Sequence, residues 1–96
     1  MYQQGAKFTG PFFVAFHVRE PEGSGSRVGL TLPRALGTAV VRNRIKRRIR
    51  EAVRLEFESL SPRWSIVINP RRSVLKASFP VLRREVARLF ERCNGL

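Results

Sequence analysis

Apolar residues recur along this chain in two rhythms. Over residues 10–20, Phe12, Val14, Phe16 and Val18 alternate with smaller or more polar neighbours, the two-residue period of a half-buried strand. Pro21-Glu-Gly-Ser-Gly-Ser26 is a turn. Residues 27–32 predict a second strand with Val28, Leu30 and Leu32 on one face, and the short connection predicts an antiparallel hairpin. Residues 33–37 break the pattern, and Thr38 stands as a helix N-cap. From about residue 39 to about residue 59 the period lengthens. Val41, Ile45, Ile49, Ala52, Val53, Phe57 and Leu60 then form one helical stripe, ended by Ser61-Pro62. Residues 64–68 predict a third strand, apolar on both faces through Ile66, Val67 and Ile68 and therefore central. Asn69-Pro70-Arg71-Arg72 is a basic loop. Ser78 opens a last helix over residues 79–93, with Pro80 in its first turn. Phe79, Leu82, Val86, Leu89 and Phe90 are its buried stripe, and Asn94-Gly95 stops it. The order β-β-α-β-α predicts an α+β fold, a small two-layer α/β sandwich with a mostly antiparallel central sheet.

With 96 residues the chain forms one domain, residues 1–96. A hydrophobic share of 43% argues against wholesale disorder. Charge changes the picture more: 19 Lys and Arg against 7 Asp and Glu leave +12. Such a charge repels itself in the compact state and attracts polyanions, nucleic acid first and an anionic membrane surface second. A lone cysteine, Cys93, excludes an internal disulfide framework and suggests a reducing compartment. No Cys/His cluster has metal-ligand spacing, and no apolar run approaches a bilayer's thickness. The opening Met-Tyr-Gln-Gln-Gly-Ala-Lys lacks an apolar signal region, so a cytoplasmic location is expected.

The first helix is where charge and periodicity meet. Val41-Arg-Asn-Arg-Ile-Lys-Arg-Arg-Ile-Arg50 contains no acid, and Glu51 is the only one between Arg42 and Leu55. Arg42/Lys46, Lys46/Arg50, Arg44/Arg48 and Arg50/Arg54 are like-charge pairs at i,i+4, each costing roughly 0.2–0.5 kcal/mol. The cations also crowd the helix half whose dipole disfavours them. A solvated helix selected for stability alone would not carry this pattern; an external polyanion relieves it. On a helical wheel Asn43, Lys46, Arg47, Arg50 and Arg54 project away from the apolar stripe, and Arg44 leaves on the opposite flank. Arg42 and Arg48 lie at the core edge, where their stems cover apolar surface. Cations on three sides suit a folded RNA better than a flat membrane. Arginine forks hold phosphates bidentately and stack on bases, and Asn43 can read a base edge or a 2′-OH.

Arg27-Val-Gly-Leu-Thr-Leu32, then Gly37, then Ala39-Val-Val-Arg-Asn-Arg-Ile-Lys-Arg-Arg-Ile-Arg-Glu-Ala52 resembles the protein subunit of bacterial ribonuclease P. Arg42-Asn43-Arg44 with its basic continuation is that family's signature. The likeness extends to the Gly-Pro-Phe-Phe-Val-Ala-Phe and Trp-Ser-Ile-Val-Ile strands and the last helix. It implies a ribonucleoprotein that removes the 5′ leader of precursor tRNA. The RNA subunit carries catalysis with bound Mg²⁺, and the protein alone binds none. The implied partners are the catalytic RNA and precursor tRNA, with neither membrane nor DNA. Carried over by motif, Arg42, Asn43, Arg44, Lys46, Arg47 and Arg50 face the RNA subunit. Phe16 and Tyr2 match aromatic positions of a leader cleft, which Phe12 and Arg34 would adjoin. The resemblance also implies a left-handed β-α-β crossover, where sequence physics alone favours a right-handed one. The family carries a helix ahead of the Gln-Gly pair. This sequence starts at Met1-Tyr2, near where that helix ends, so either a shortened N-terminal helix or a misassigned start is expected. In the loop before the signature helix, Pro33-Arg34-Ala35 keeps only Arg34 as a clear cation.

The remaining chemistry is sparse. His17 reads as a surface strand residue, and Phe13 and Trp64 as packing residues. Cys93 is a small hydrophobe in an apolar stripe. Asp is absent, and the Glu residues form no clear acid/base pair, which argues against nuclease chemistry borne by the protein. Two rivals remain: a basic structural RNA-binding protein of ribosomal type, with no role in cleavage, and a membrane-active basic protein.

Overall fold

The computed structural model describes residues 6–21, 25–60 and 63–95. Four strands, β1 (Ala6–Thr9), β2 (Phe13–Arg19), β3 (Arg27–Leu30) and β4 (Trp64–Pro70), form one sheet in the order β1-β2-β4-β3. β1 pairs antiparallel with β2, β2 antiparallel with β4, and β3 parallel with β4. Helices α1 (Ala39–Glu56) and α2 (Phe79–Asn94) pack together on one face of the sheet. This is the α+β two-layer architecture expected, with a further strand, β1, that no clear alternation announces.

The expected hairpin between the first two sequence strands does not form. β4 lies between them, and β3 runs parallel to it with α1 as the crossover. The residues at the two ends of the connection that looked like a turn both meet the start of β4: Glu20 N donates to Arg63 O at 2.5 Å, and Trp64 N donates to Ser26 Oγ at 3.0 Å. The physical reason is burial. β4 brings Trp64, Ile66 and Ile68 to the core, whereas β3, with Gly29 and only half-buried Val28 and Leu30, gains less and takes the edge. The central position read for β4 holds, but only one of its faces is covered, and Val67 is exposed.

β2 places Phe13 inward and Phe16 outward, as read, but its polar His17 goes to the core. Phe13, Ala15 and His17 face the helices and are buried, while Val14, Phe16 and Val18 lie on the outer face. The strand is apolar on both sides, so alternation alone does not choose between them; the small Ala15 suits the layer the helices must approach. His17 is thus a core residue, contrary to its surface reading. Its ring meets Trp64 edge-on at 5.4 Å between centroids, and neither ring nitrogen has a hydrogen-bond partner among the described residues. Burial, with a smaller contribution from Arg92, holds its pKa below the usual histidine range. The fold keeps the neutral ring. That stability is complete above the unfolded value, about 6.5, and is lost as pH falls through the lower folded value. The melting temperature is therefore expected to drop between about pH 7.5 and about pH 5, and to drop less in His17→Phe. Equal drops in thermal melts of the two proteins would remove His17 from the account.

α1 starts where the sequence says: Thr38 Oγ1 accepts from Val41 N at 3.3 Å. Gly37 precedes it at φ 138°, and a Cβ there would stand 3.0 Å from Val41 Cγ1, so only glycine joins the preceding turn to this cap without strain. Ile45, Ile49 and Ala52 are fully buried. The α-helix ends at Glu56 and continues as a 3₁₀ turn, Phe57–Ser59. This rotates Phe57 out of the expected stripe and exposes it, while Leu60 stays buried. In α2, Leu82, Val86, Leu89, Phe90 and Cys93 are buried as expected.

Candidate nucleic-acid interface

Two surfaces carry the chemistry, one on each layer. On the helix layer, the buried side of α1 pins Ile45 and Ile49 to the sheet and so aims the rest of the helix outward. Asn43, Arg44, Arg47 and Arg50 are exposed, and Lys46 is half-buried. No acid stands in the first turn. The two arginines at the core edge are used by the fold. Arg42 Nη1 donates to Leu32 O at 3.4 Å on the flank facing the end of β3, and Arg48 Nη2 donates to Ala77 O on the flank facing α2. Each also keeps a buried Nε without a partner among the described residues. Arg54, read as projecting outward, is exposed but paired with Glu51. Of the residues expected to face an RNA partner, Asn43, Arg44, Arg47 and Arg50 stand together in solvent with Lys46 beside them. Arg42 is partly committed to the backbone.

Between the free edge of β3 and the second half of α1 lies an open groove of about 980 Å³. Val28, Leu30 and Val53 line its apolar part, with Arg47, Arg50 and Phe57 also along it. Nothing in the periodicity announces this groove. It exists because Phe57 leaves the stripe and because β3 is an edge.

On the sheet layer the outer face is uncovered among the described residues. Phe16 (41% exposed) lies between Lys7 on β1 and Val67 (40% exposed) on β4, and Gly29 follows on β3. A side chain at Gly29 would meet open space. The row is therefore a shallow apolar platform two aromatic or aliphatic side chains wide, edged by the exposed cations Lys7 and Arg27. Phe16 takes the open position its motif implies. Phe12 is half-buried and packs against the core, so it supports the platform's end rather than offering a free ring. Arg34 is exposed in a 3₁₀ turn, Arg34–Leu36, after β3. This puts it at the far side of β4 from Phe16. Tyr2, and the N-terminal helix expected around it, lie outside the described residues.

The titratable side chains of the core are taken up by packing and pairing. Burial pushes the Cys93 thiol up to about 11, with Arg92 pulling weakly the other way, so it remains a protonated core residue. Glu85, the buried acid, is held by Arg88 at 3.1 Å. Among the described residues no three His, Cys, Asp or Glu side chains are grouped to hold a metal, and no helix is long and apolar enough to cross a membrane.

Comparison with known proteins agrees with this geometry. The family model described as Ribonuclease P matches residues 1–94. The ribonuclease P protein component of Symbiobacterium thermophilum is 42% identical over 96 residues, spanning 100% of this chain and 84% of that protein. The corresponding protein of Bacillus velezensis is 35% identical over 94 residues, spanning 98% and 80%. The solved structure of the RNase P protein from Thermotoga maritima superposes with a TM-score of 0.81 at 25% identity, covering 95% of this chain and 86% of that one.

Proposed function

Since the chain belongs to the ribonuclease P protein family, we propose that its two surfaces divide the work of that enzyme, α1 holding the RNA subunit and the outer sheet face holding the 5′ leader of precursor tRNA. The protein is the RNA-binding, accessory subunit of ribonuclease P, and catalysis belongs to the RNA. The ribosomal-type alternative has no support in these relatives.

The observation that carries the division of work is the placement of the cations. Arg44, Arg47 and Arg50 stand exposed on one layer, and exposed Phe16 stands on the other. A folded RNA meets the first and a single strand fits the second. Guanidinium groups on α1 neutralise phosphates and release counterions. Phe16 offers a ring to an unstacked base, and Lys7 beside it offers a charge to the backbone. The protein's exposed polar groups on these surfaces are mainly arginines and amides, which do not suit Mg²⁺ as grouped carboxylates would. We therefore assign magnesium to the RNA subunit. The protein's part is to position the leader and lower phosphate repulsion. A cytoplasmic location accords with the reading, since its substrate is made there.

The test is cleavage of a precursor tRNA by bacterial ribonuclease P RNA at low Mg²⁺, with and without this chain. Stimulated cleavage at the mature 5′ end is expected; RNA binding without stimulation would favour a structural RNA-binding protein. Within the holoenzyme, Phe16→Ala is expected to weaken the preference for precursor over mature tRNA roughly tenfold, the loss of one stacked base, with binding of the RNA subunit unchanged. Comparing the affinities for the two tRNAs checks this, and an unchanged preference would take Phe16 out of the leader site.

A further inference from the structure

The segment after β4 carries cations that this division of work leaves unused. Arg71, Arg72 and Lys76 are exposed around a 3₁₀ turn, Arg72–Leu75. From Ser59 to Arg84 the chain contains no acid. The segment is tied down on both sides. Arg71 N donates to Phe12 O at 2.8 Å, Ser73 Oγ donates to Pro11 O at 2.9 Å, and Val74 is fully buried. On the other side Arg48 of α1 donates to Ala77 O, bracing the helix against the segment. Between the two elements opens a cleft of about 340 Å³ lined by Arg44, Arg47, Arg48 and Leu75.

We propose that Arg71, Arg72 and Lys76, together with Arg44 and Arg47 across this cleft, form a second phosphate-binding surface that holds a bend of the RNA subunit's backbone. The proposal rests on the assignment of α1 to the RNA subunit and extends that contact round the flank of the helix away from β3. Three features select this partner. Arginine forks of α1 in the cleft and the exposed cations of the segment beside it suit phosphates approached from two directions. The anchored backbone means the cations lose little conformational freedom on binding. The cleft also belongs to the helix layer, whereas the platform around Phe16 is on the opposite face of the sheet, so one extended leader strand does not reach both. A membrane surface would require an apolar face beside the charges, and the cleft has only Leu75.

The test uses the full chain and ribonuclease P RNA, with affinity measured over a range of salt concentrations. The triple variant R71A/R72A/K76A changes only exposed side chains, and its melting curve checks that it folds. The proposal expects affinity to fall roughly tenfold and the slope of log affinity against log salt to become shallower by about two. The preference of the holoenzyme for precursor over mature tRNA should be unchanged. Unchanged affinity and slope would overturn the proposal while leaving α1 as the contact. A loss confined to leader-bearing tRNA would also overturn it, moving these cations to the substrate. If the unaltered chain does not bind the RNA at all, the subunit reading itself fails, and this surface loses its partner with it.

Discussion

Alanine at Arg44, Arg47 and Arg50 together is expected to weaken binding of ribonuclease P RNA about 100-fold near physiological salt, roughly 1 kcal/mol per cation. The melting temperature should hold or rise. Both halves follow from the same geometry. These side chains are exposed, so their removal leaves no cavity and strands no buried partner. The like-charge pairs Arg44/Arg48, Lys46/Arg50 and Arg50/Arg54 are dissolved, which returns a few tenths of a kcal/mol each. Salt dependence gives the sharper readout, because each lost phosphate contact should flatten the log–log slope by roughly 0.7–0.9. Arg42 is left out by design. It donates to Leu32 O, so its replacement mixes lost affinity with a loosened junction between β3 and α1. Affinity unchanged in the triple variant would remove α1 as the RNA contact; a fall in melting temperature matching the fall in affinity would make these arginines structural.

The second large effect is of the opposite kind. Ile49→Ala is expected to cost about 3 kcal/mol of stability and to lower the melting temperature by on the order of 15 °C, with little direct effect on RNA contacts. Ile49 is fully buried under α1 and borders the groove with Val28 and Leu30. Its removal leaves a void that the sheet beneath cannot close, and a domain of this size has little stability in reserve. Saturating RNA should recover part of the loss, since a ligand that binds only the folded state stabilises it by mass action. Melts followed by circular dichroism with and without RNA separate the two contributions. Recovery by RNA that is equally large in the arginine variant would contradict both assignments.

How much of this was legible depends on which physical signal each element carries. The start of α1 and both ends of α2 were legible nearly to the residue, because Thr38, Gly37, Pro80 and Asn94-Gly95 mark them, whereas α1 ends at Glu56, short of the expected residue 59. The sheet was less so. Pairing order is decided by which strand buries most side-chain surface in three dimensions, and β4 won that place over the sequence neighbour β3. On β2, Phe13 was read as packing and Phe16 as open, as found, but a polar side chain amid residues apolar on both faces gives no sign of its direction, so His17 entered the core unannounced. β1 is four residues long with two of them polar, too short to show a period. The cationic face of the candidate site was legible, because charge without compensation is visible in one dimension. The braces Arg42 to Leu32 and Arg48 to Ala77 were foreshadowed by their wheel positions at the core edge. The partners they found, and the exposure of Phe57, belong to tertiary packing.

The parallel pairing of β3 with β4 has a consequence for how the chain assembles. Arg27 must find Ser65, and Phe13 must find Pro70, so every rung of β4 joins residues far apart in sequence. The segment between β3 and β4 is the cationic helix itself. Closing the sheet therefore means closing a long loop whose own charges repel one another, and topologies dominated by such distant pairings fold slowly. Counterions that screen α1 thus act on the rate of folding as well as on the bound state. The helix that later meets RNA sits on the critical path of the protein's own assembly.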